Sequence, residues 1–368
     1  MGRNEVSRLR DHALAMRARL ERMAGDARIL PATEISVTAL EEFYDQMYPG
    51  RAEFLKSNWR WLYRVGEYKS IPSPLVAMTA DRIVGHGGLI PVTLRRGDEE
   101  RTAIWMLDFG ILPEYQRKAV GGLLVHTGMS LCPLQVAFLN ERSWSMVAKL
   151  GWETSFQTTA FRLLLRPDQH PRLQQASTSV RTIQTLAGLA ARTVWRARTF
   201  PCREPSVSPI TASSLAVFSA RNPGSVLHVP RSDQFLRWRI STNPFFDEHI
   251  VFNFQSGRNV GYSAVARLVN DRGYRRLHLL ALGGDSSNRD ALSDFFACIV
   301  RWAIKEDVHH ILFITSDAAV AGTARWWFPF SKRLRFAYHA NDFSGAEFLR
   351  GTDQLWEAID CDFDLTYG

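Results

Sequence analysis

The sharpest change of hydrophobic pattern along the chain lies between residues 104 and 130. Residues 104–112 are apolar except for Asp108 and end at Pro113, which predicts a buried strand. Apolar positions then recur at helical spacing, which predicts that a helix follows the strand directly. The apolar positions of this predicted helix are Leu123, Leu124, Val125 and Met129.

The turn between this strand and helix has the character of an anion site. Residues 116–122 are mostly small, and Arg117 and Lys118 add positive charge. Backbone N–H groups at a helix start lack intrahelical acceptors, and the helix dipole adds partial positive charge there. The segment therefore predicts a phosphate site, with an ordinary turn carrying a solvated basic corner as the alternative.

The second half of the chain repeats the plan of the first without this turn. A Trp-Arg segment, a turn and a strand containing Gly occur near residues 59–87 and again near 235–262, which predicts duplicated domains. Residues 275–282 alternate as a strand and residues 289–304 follow as a helix. Between them lies Asp285, and a carboxylate repels phosphate. Only the first copy is therefore expected to bind a coenzyme.

Composition places the chain among folded proteins of ordinary domain size. It has 368 residues, 46% of them hydrophobic, with 22 Phe and 11 Trp, enough for two domains with cores of their own. The four Cys are scattered, and the first 20 residues lack the apolar segment of a signal peptide, so a cytoplasmic location is the expectation. The net charge of +8 suits anionic partners, but no basic segment is interleaved with aromatic residues as a nucleic-acid surface would be, and nucleic acid is not expected.

Two basic helices are predicted outside the domains. Residues 5–22 have the mixed charge of an exposed helix, either mobile or bound to a partner. Residues 180–200 read as a basic amphipathic helix that could rest on a membrane surface, although packing across the domain junction is the commoner outcome. The resulting boundaries are an arm at 1–30, a first domain at 31–166, a connector at 167–209 and a second domain at 210–368.

A metal site is not expected. His309 and His310 are adjacent in a predicted strand, where neighbouring side chains point to opposite faces and cannot share an ion.

Two segments of the first domain resemble the GNAT superfamily of acyl-CoA N-acyltransferases. Gln116, Ala119 and Gly121 occupy the three fixed positions of its coenzyme signature, with Ala119 in place of the usual glycine. Residues 140–152 resemble a later segment in which Asn140 begins a helix and Lys-x-Gly-aromatic ends it. The resemblance implies two tandem mixed α/β domains and an acyl-CoA co-substrate. The implied coenzyme-binding residues are Phe109, Gly110, Ile111, Gln116, Arg117, Lys118, Ala119, Val120, Gly121, Gly122 and Asn140.

The same resemblance suggests a reaction. Asp108 lies where the family often places a general base that takes a proton from the attacking amine. Val147 occupies the position of a tyrosine that many members use to protonate the thiolate, and valine cannot donate a proton. The expected activity is N-acyl transfer from acyl-CoA, or from an acyl carrier protein, to an amine. The layout is also similar to tandem proteins of bacterial exopolysaccharide and envelope pathways, which suggests an amino sugar or another envelope amine as acceptor. The alternatives are an aminoacyl or peptidyl transferase of the envelope and a catalytically silent binding module.

Overall fold

A computed structural model describes residues 3–80, 82–171, 178–200, 202, 204–219, 224–256, 260–350 and 353–361. The chain divides into two compact units, each built from segments that are distant in sequence. Unit 1 comprises residues 1–155, 225–227 and 335–353, and unit 2 comprises residues 156–224, 228–334 and 354–368.

Unit 1 consists of a mixed β-sheet and of helices that come before, between and after its strands in the sequence. The strand order is β1-β2-β3-β4-β5-β15-β6, and the β4–β5 pair is parallel while its other neighbours are antiparallel. The helices are α1 (Arg3–Ala24), α2 (Val37–Met47), α3 (Ala52–Leu62), α4 (Val120–Ser130), α5 (Glu141–Val147) and α11 (Phe343–Leu349). The strands are β1 (Arg28–Pro31), β2 (Leu75–Thr79), β3 (Arg82–Arg96), β4 (Glu99–Ile111), β5 (Leu134–Leu139), β6 (Glu153–Ser155) and β15 (Arg335–Ala340).

The parallel pair in unit 1 is short, and this creates an opening. β4 pairs with β5 only at Ile104 with Gln135 and at Trp105 with Val136. β4 then runs on to Ile111, so the last part of β4 has a free edge on the β5 side. The apolar residues predicted on the helix after β4 are buried against this sheet, among them Leu124 and Val125.

Unit 2 is a second mixed sheet with the order β14-β7-β13-β12-β11-β10-β8, in which the β12–β13 pair is parallel. The helices are α6 (Thr178–Thr199), α7 (Ala212–Ser219), α8 (Asp233–Leu236, continued by a π-helix over Arg237–Ser241), α9 (Arg289–Lys305) and α10 (Ala318–Trp327). The strands of this sheet are β7 (Thr159–Leu164), β8 (Ser206–Pro209), β10 (His249–Ser256), β11 (Val260–Asp271), β12 (Tyr274–Gly283), β13 (His310–Thr315) and β14 (Phe330–Arg333). Two short strands are not part of it: β16 (Gln354–Leu355) in unit 2, and β9 (Leu227–His228), which has one residue in each unit.

The predicted elements and the predicted α/β class are confirmed. The strand at 104–112 is the end of β4, the strand at 275–282 is β12, and the helix at 289–304 is α9. Both sheets contain three successive antiparallel strands followed by a helix and a parallel strand. In unit 2 the core forms where α9 packs on the sheet, around Phe295, Phe296 and Phe313.

Two strands lie in the opposite unit from the one that the sequence boundaries gave them. β7 falls within the predicted first domain but pairs with β13 and β14 of unit 2. β15 falls within the predicted second domain but pairs with β5 and β6 of unit 1. Strand pairing between residues about 150 to 200 positions apart leaves no local signal in hydrophobic periodicity, which reports only which face of a strand is buried.

The basic helix predicted at 180–200 is α6, and its contacts lie within unit 2. Arg192 donates from Nη2 to the carbonyl of Ile304 at 3.2 Å and forms an ion pair with Asp307 at 3.0 Å. The Trp195 ring lies 6.1 Å from that of Trp327. Among the described residues, no helix is both long enough and apolar enough to span a bilayer.

Candidate active site

The turn between β4 and α4 is held by Gln116, the first fixed residue of the resemblance. Its Nε2 donates to the carbonyl of Ile111 at 3.0 Å, and its Oε1 accepts from the guanidinium of Arg142 on α5. Gln116 therefore ties the turn both to the end of β4 and to the helix that begins at Asn140. Asn140 caps that helix as predicted, accepting from the Ser143 N–H at 2.9 Å.

The backbone of the turn leaves the start of α4 open. Arg117 and Ala119 both adopt positive φ, 69° and 59°, and Ala119 provides no side-chain cap for α4. Residues that alternate between left-handed and other conformations turn successive N–H groups toward a common point, which forms an anion-binding concavity. The uncapped N–H groups of the first turn of α4 add to it.

A cleft of about 1000 Å³ lies at this turn, which is at the upper end of the range for small-molecule sites. Its basic residues come from four places in the chain, and its described lining contains no Asp or Glu. A cleft of this charge favours an anionic ligand. The basic lining residues are Arg19, Arg117, Arg142 and Lys149, and the apolar ones include Met16, Leu20, Met23, Met47, Phe109, Ile111, Met146 and Leu150.

The cleft gathers most of the predicted coenzyme-binding residues. Three predicted site residues do not line it. Val120 is buried in the core, Lys118 places its Nζ 4.7 Å from the centre of the Tyr115 ring, and the side chain of Asp108 is only 8% exposed. The predicted residues that line it are Phe109, Gly110, Ile111, Gln116, Arg117, Ala119, Gly121, Gly122 and Asn140.

One wall of the cleft is not predicted by the sequence, in which residues 5–22 have the pattern of an exposed helix, either mobile or bound to a partner. Met16, Arg19, Leu20 and Met23 of α1 recur at positions i, i+3, i+4 and i+7, so they share the face that borders the cleft. Leu20 packs beside Gly122, where an added Cβ would lie 3.0 Å from its Cδ2. The signal was present in this spacing, but its partner surface on α4 is far along the chain.

Asp108 is the centre of a buried polar network. Arg51 Nη1 lies 2.6 Å from its Oδ1, and the Tyr63 hydroxyl donates to its Oδ2 at 2.8 Å. The Arg51 and Asp108 side chains are 12% and 8% exposed. A Cβ at Gly88 would collide with the Tyr63 ring, so this glycine gives Tyr63 room to reach the carboxylate.

The backbone of Asp108 is held as firmly as its side chain. Its φ is 51°, and its carbonyl accepts from the Tyr48 hydroxyl at 2.5 Å and from His86 Nδ1 at 3.0 Å. Because a carbonyl can only accept, Nδ1 of His86 carries the proton and Nε2 accepts from the Tyr44 hydroxyl at 3.3 Å. Burial lowers the pKa of His86 to about 4, which keeps it neutral.

The tyrosines of the network are strong donors only in their protonated form. Burial, reinforced by the negative charge of Asp108, raises the pKa values of Tyr44, Tyr48 and Tyr63 well above their ordinary value. None of these partners of Asp108 was predicted from the sequence. The pair Tyr44 and Tyr48 at helical i, i+4 spacing was the available signal, since it places two hydroxyl groups on one face.

Val147 is buried, 3% exposed, within the same core cluster as Leu124 and Trp152. Val147, which the resemblance aligns with a tyrosine, is thus a packing residue. Among the described residues, no group of three or more His, Cys, Asp or Glu side chains could hold a metal ion.

Comparisons with known proteins show the fold. Neither a family model nor a curated protein matches the sequence. Solved structures do match, at low sequence identity, and they establish that this chain has a GNAT fold, as predicted. A GCN5-related N-acetyltransferase of Kribbella flavida superposes with a TM-score of 0.51 at 12% identity, covering 86% of this chain and 71% of that one. N-myristoyltransferase of Saccharomyces cerevisiae with bound myristoyl-CoA gives 0.54 at 9% identity, covering 86% and 79%. A probable N-acyltransferase of Enterococcus faecalis gives 0.50 at 8% identity, covering 87% and 74%.

Proposed function

We propose that the chain is an N-acyltransferase that moves an acyl group from acyl-CoA to an amine. One observation carries the proposal: the cleft combines an uncapped helix start with four basic side chains and, among its described lining residues, no acid. Coenzyme A carries several phosphates and a long polar arm, and such a cleft matches that charge. The GNAT fold and the myristoyl-CoA held by a protein of similar fold support the same reading.

Each part of the cleft has a role in this proposal. The N–H groups at the start of α4, with Arg117, Arg142 and the other basic side chains, hold the phosphates. The free edge of β4 at residues 109–111 offers backbone groups to the pantetheine arm, since β5 does not pair with it there. The thioester then lies near the bulge at Asp108, where β4 and β3 shift register.

Asp108 is the candidate base of this reaction. The amine attacks the thioester carbon, its proton passes to the carboxylate directly or through water, and the coenzyme leaves as the thiolate. Each carboxylate oxygen accepts one hydrogen bond here and keeps a further lone pair. Because Val147 cannot donate, the thiolate takes its proton from another group or from solvent. The acceptor class that we propose is an amino sugar or another envelope amine, and the donor could also be an acyl carrier protein.

A second candidate function is a binding module that holds acyl-CoA without transfer. Two observations favour it: Val147 is buried in the core, and both oxygens of Asp108 already accept a hydrogen bond within the protein. The two candidates share the coenzyme site and differ only in turnover.

Thermal unfolding with coenzyme A tests the shared site. A ligand at about 100 times its Kd stabilises the folded protein by about 2.7 kcal/mol, which raises Tm by several degrees. Gly121→Glu should abolish this rise because a carboxylate would occupy the cleft. An added Cβ at Gly121 lies 3.2 Å from the Met146 sulfur, so the side chain projects toward α5. Ser130→Glu is the matched control, since Ser130 is exposed at the far end of the same helix.

Turnover separates the candidates. An N-acyltransferase releases free thiol from acyl-CoA when an amine is supplied, and Asp108→Ala slows that release. Binding of acyl-CoA without release of free thiol would instead favour the binding module. Activation by charged tRNA but not by thioesters would favour an aminoacyl transferase, and absence of a thermal shift with every acyl donor would end the proposal.

A further inference from the structure

Helix α6 turns an apolar stripe toward solvent. Ile183, Leu186 and Val194 are 67%, 63% and 62% exposed. With Ala190 and Ala197 they recur at i, i+3, i+7, i+11 and i+14, the spacing of one helix face. The stripe is therefore continuous over about four turns of the helix.

The opposite face of α6 holds the helix on unit 2 through polar and aromatic contacts. Arg192 reaches Asp307 and the Ile304 carbonyl, and the Trp195 ring packs near Trp327. Gly188 lies so close to Asp168 that an added Cβ would stand 2.5 Å from its Oδ1. Because these contacts fix the rotation of the helix, the apolar stripe is held outward by the fold.

All charged side chains of α6 are positive. The helix contains four Arg and no Asp or Glu. Arg196 and Arg198 lie on either side of the stripe by helical geometry, and both are exposed; the Arg198 guanidinium also stacks over the Trp327 ring at 4.5 Å. An apolar stripe edged by basic residues is the arrangement of a helix that lies in the plane of a membrane interface.

We propose that α6 docks unit 2 on an anionic lipid surface, with Ile183, Leu186 and Val194 inserted among the acyl chains and Arg196 beside the headgroups. A second copy of the chain fits less well. The exposed Arg196 and Arg198 of two facing helices would repel one another, and small Ala residues at two positions of the stripe give a weak dimer seam. Anionic headgroups neutralise that charge, and the acyl boundary takes the apolar side chains.

Vesicle sedimentation with the full chain tests this surface. Wild-type protein should pellet with phosphatidylcholine vesicles containing about 30% phosphatidylglycerol, and much less with phosphatidylcholine alone. The binding should weaken at about 0.5 M salt because the Debye length shortens. Ile183→Ser with Leu186→Ser should weaken it about 100-fold or more, since two large side chains no longer leave water.

A matched pair of variants controls for general surface hydrophobicity. Val37→Ser with Phe343→Ser removes two apolar side chains that are also exposed, 48% and 58%, at helix starts in unit 1. This control should bind vesicles as the wild type does. Arg196→Glu should reduce binding about tenfold and flatten its salt dependence, because one cation near the surface contributes about a factor of five and the reversal removes more.

Four results would overturn the proposal. They are absence of pelleting with anionic vesicles, equal binding of the α6 variant and the wild type, equal loss in the control pair, and a dimer in solution that the α6 variant converts to a monomer. Unfolding midpoints of all variants should match the wild type, since each altered side chain is exposed. The test needs no acyl donor, so it is independent of the proposed function.

Discussion

In each unit a central strand is followed by a helix, but the helix start after the turn is capped differently in the two units. In unit 1, β4 passes through Gln116 and Ala119 into α4, and Ala119 offers no side-chain cap. In unit 2, β12 passes through Asp285 and Asn288 into α9. Asn288 caps α9 by accepting from the Ala291 N–H at 3.1 Å, and Asp285 accepts from the Ser287 N–H at 2.9 Å.

This difference shows what makes a helix start available to a ligand. The dipole and the free N–H groups are general features of helices, so they exist in both turns. In unit 2 the chain satisfies the N–H groups with its own side chains and adds a carboxylate. In unit 1 it leaves them open and surrounds them with basic side chains. The parallel strand pairs also differ between the units: β4 pairs with β5 at two positions, whereas β12 pairs with β13 at four.

The largest expected effect concerns the acidic residue of each region. Asp108 is buried against Arg51, whereas Asp285 lies at the surface. Arg51→Met leaves a buried carboxylate without its cation and should lower the free energy of unfolding by about 3 kcal/mol. Urea denaturation measures this loss, and Asp285→Ala should change the midpoint far less.

A control for charge removal alone is available in unit 1. Arg82 pairs with Glu114 at 3.2 Å, with both side chains about half exposed. Arg82→Met should therefore cost less than about 1 kcal/mol. If Arg51→Met cost no more than Arg82→Met, the network around Asp108 would not stabilise unit 1 and the contrast with Asp285 would fail.

The next effect is the pH dependence of stability, which should differ between the network around Asp108 and the turn that contains Asp285. The folded pKa of His86 is about 4 because of burial, below the unfolded value of about 6.5. Between these values the unfolded chain binds the extra proton, so stability falls as pH falls from about 6.5 to about 4, by at most about 3 kcal/mol. The pKa of Asp285 is lowered mainly by its hydrogen bond with Ser287, so its contribution is lost only below its ordinary value.

Denaturation midpoints measured from pH 7 to pH 3 test these two windows. Other buried histidines titrate with His86, including His310, whose pKa burial lowers to about 3. The difference between wild type and His86→Asn isolates the contribution of His86 and should shrink as the pH falls through about 6 to 4. A difference that stays constant across this range would mean that His86 is not held neutral by burial.

The fold was predictable where the signal is local. Apolar alternation and helical spacing gave β4, β12 and α9, and Asn140 was identified as a cap because capping depends on a residue and the N–H groups next to it. Nine of the cleft residues were predicted, and eight of them lie within residues 109–122, because the family resemblance follows a continuous segment of the chain. The exchanged strands β7 and β15 were not, because pairing across the chain depends on tertiary packing.

The network of Asp108 shows the same limit at the scale of side chains. Asp108 was singled out because a charged residue interrupts an apolar strand. Its partners Arg51 and Tyr63 lie about 50 residues earlier, on either side of α3, and nothing in their own surroundings marks them. Helix α6 presents a third case: the helix itself was predicted, but helical periodicity does not say which of its faces packs inward.

The smallest effect tests the caps themselves. Asn288→Ala removes the side chain that caps α9 and should lower the free energy of unfolding by about 1 kcal/mol. Ala119→Gly, at the uncapped start of α4, relieves a left-handed alanine but adds freedom to the unfolded chain. The two terms are opposite in sign and of similar size, so its free energy of unfolding should change by less than about 1 kcal/mol. Urea denaturation of both variants tests this comparison. If Ala119→Gly lowered the free energy of unfolding as much as Asn288→Ala does, the start of α4 would depend on the side chain of residue 119. The helix start in unit 1 would then not differ from the capped helix start in unit 2.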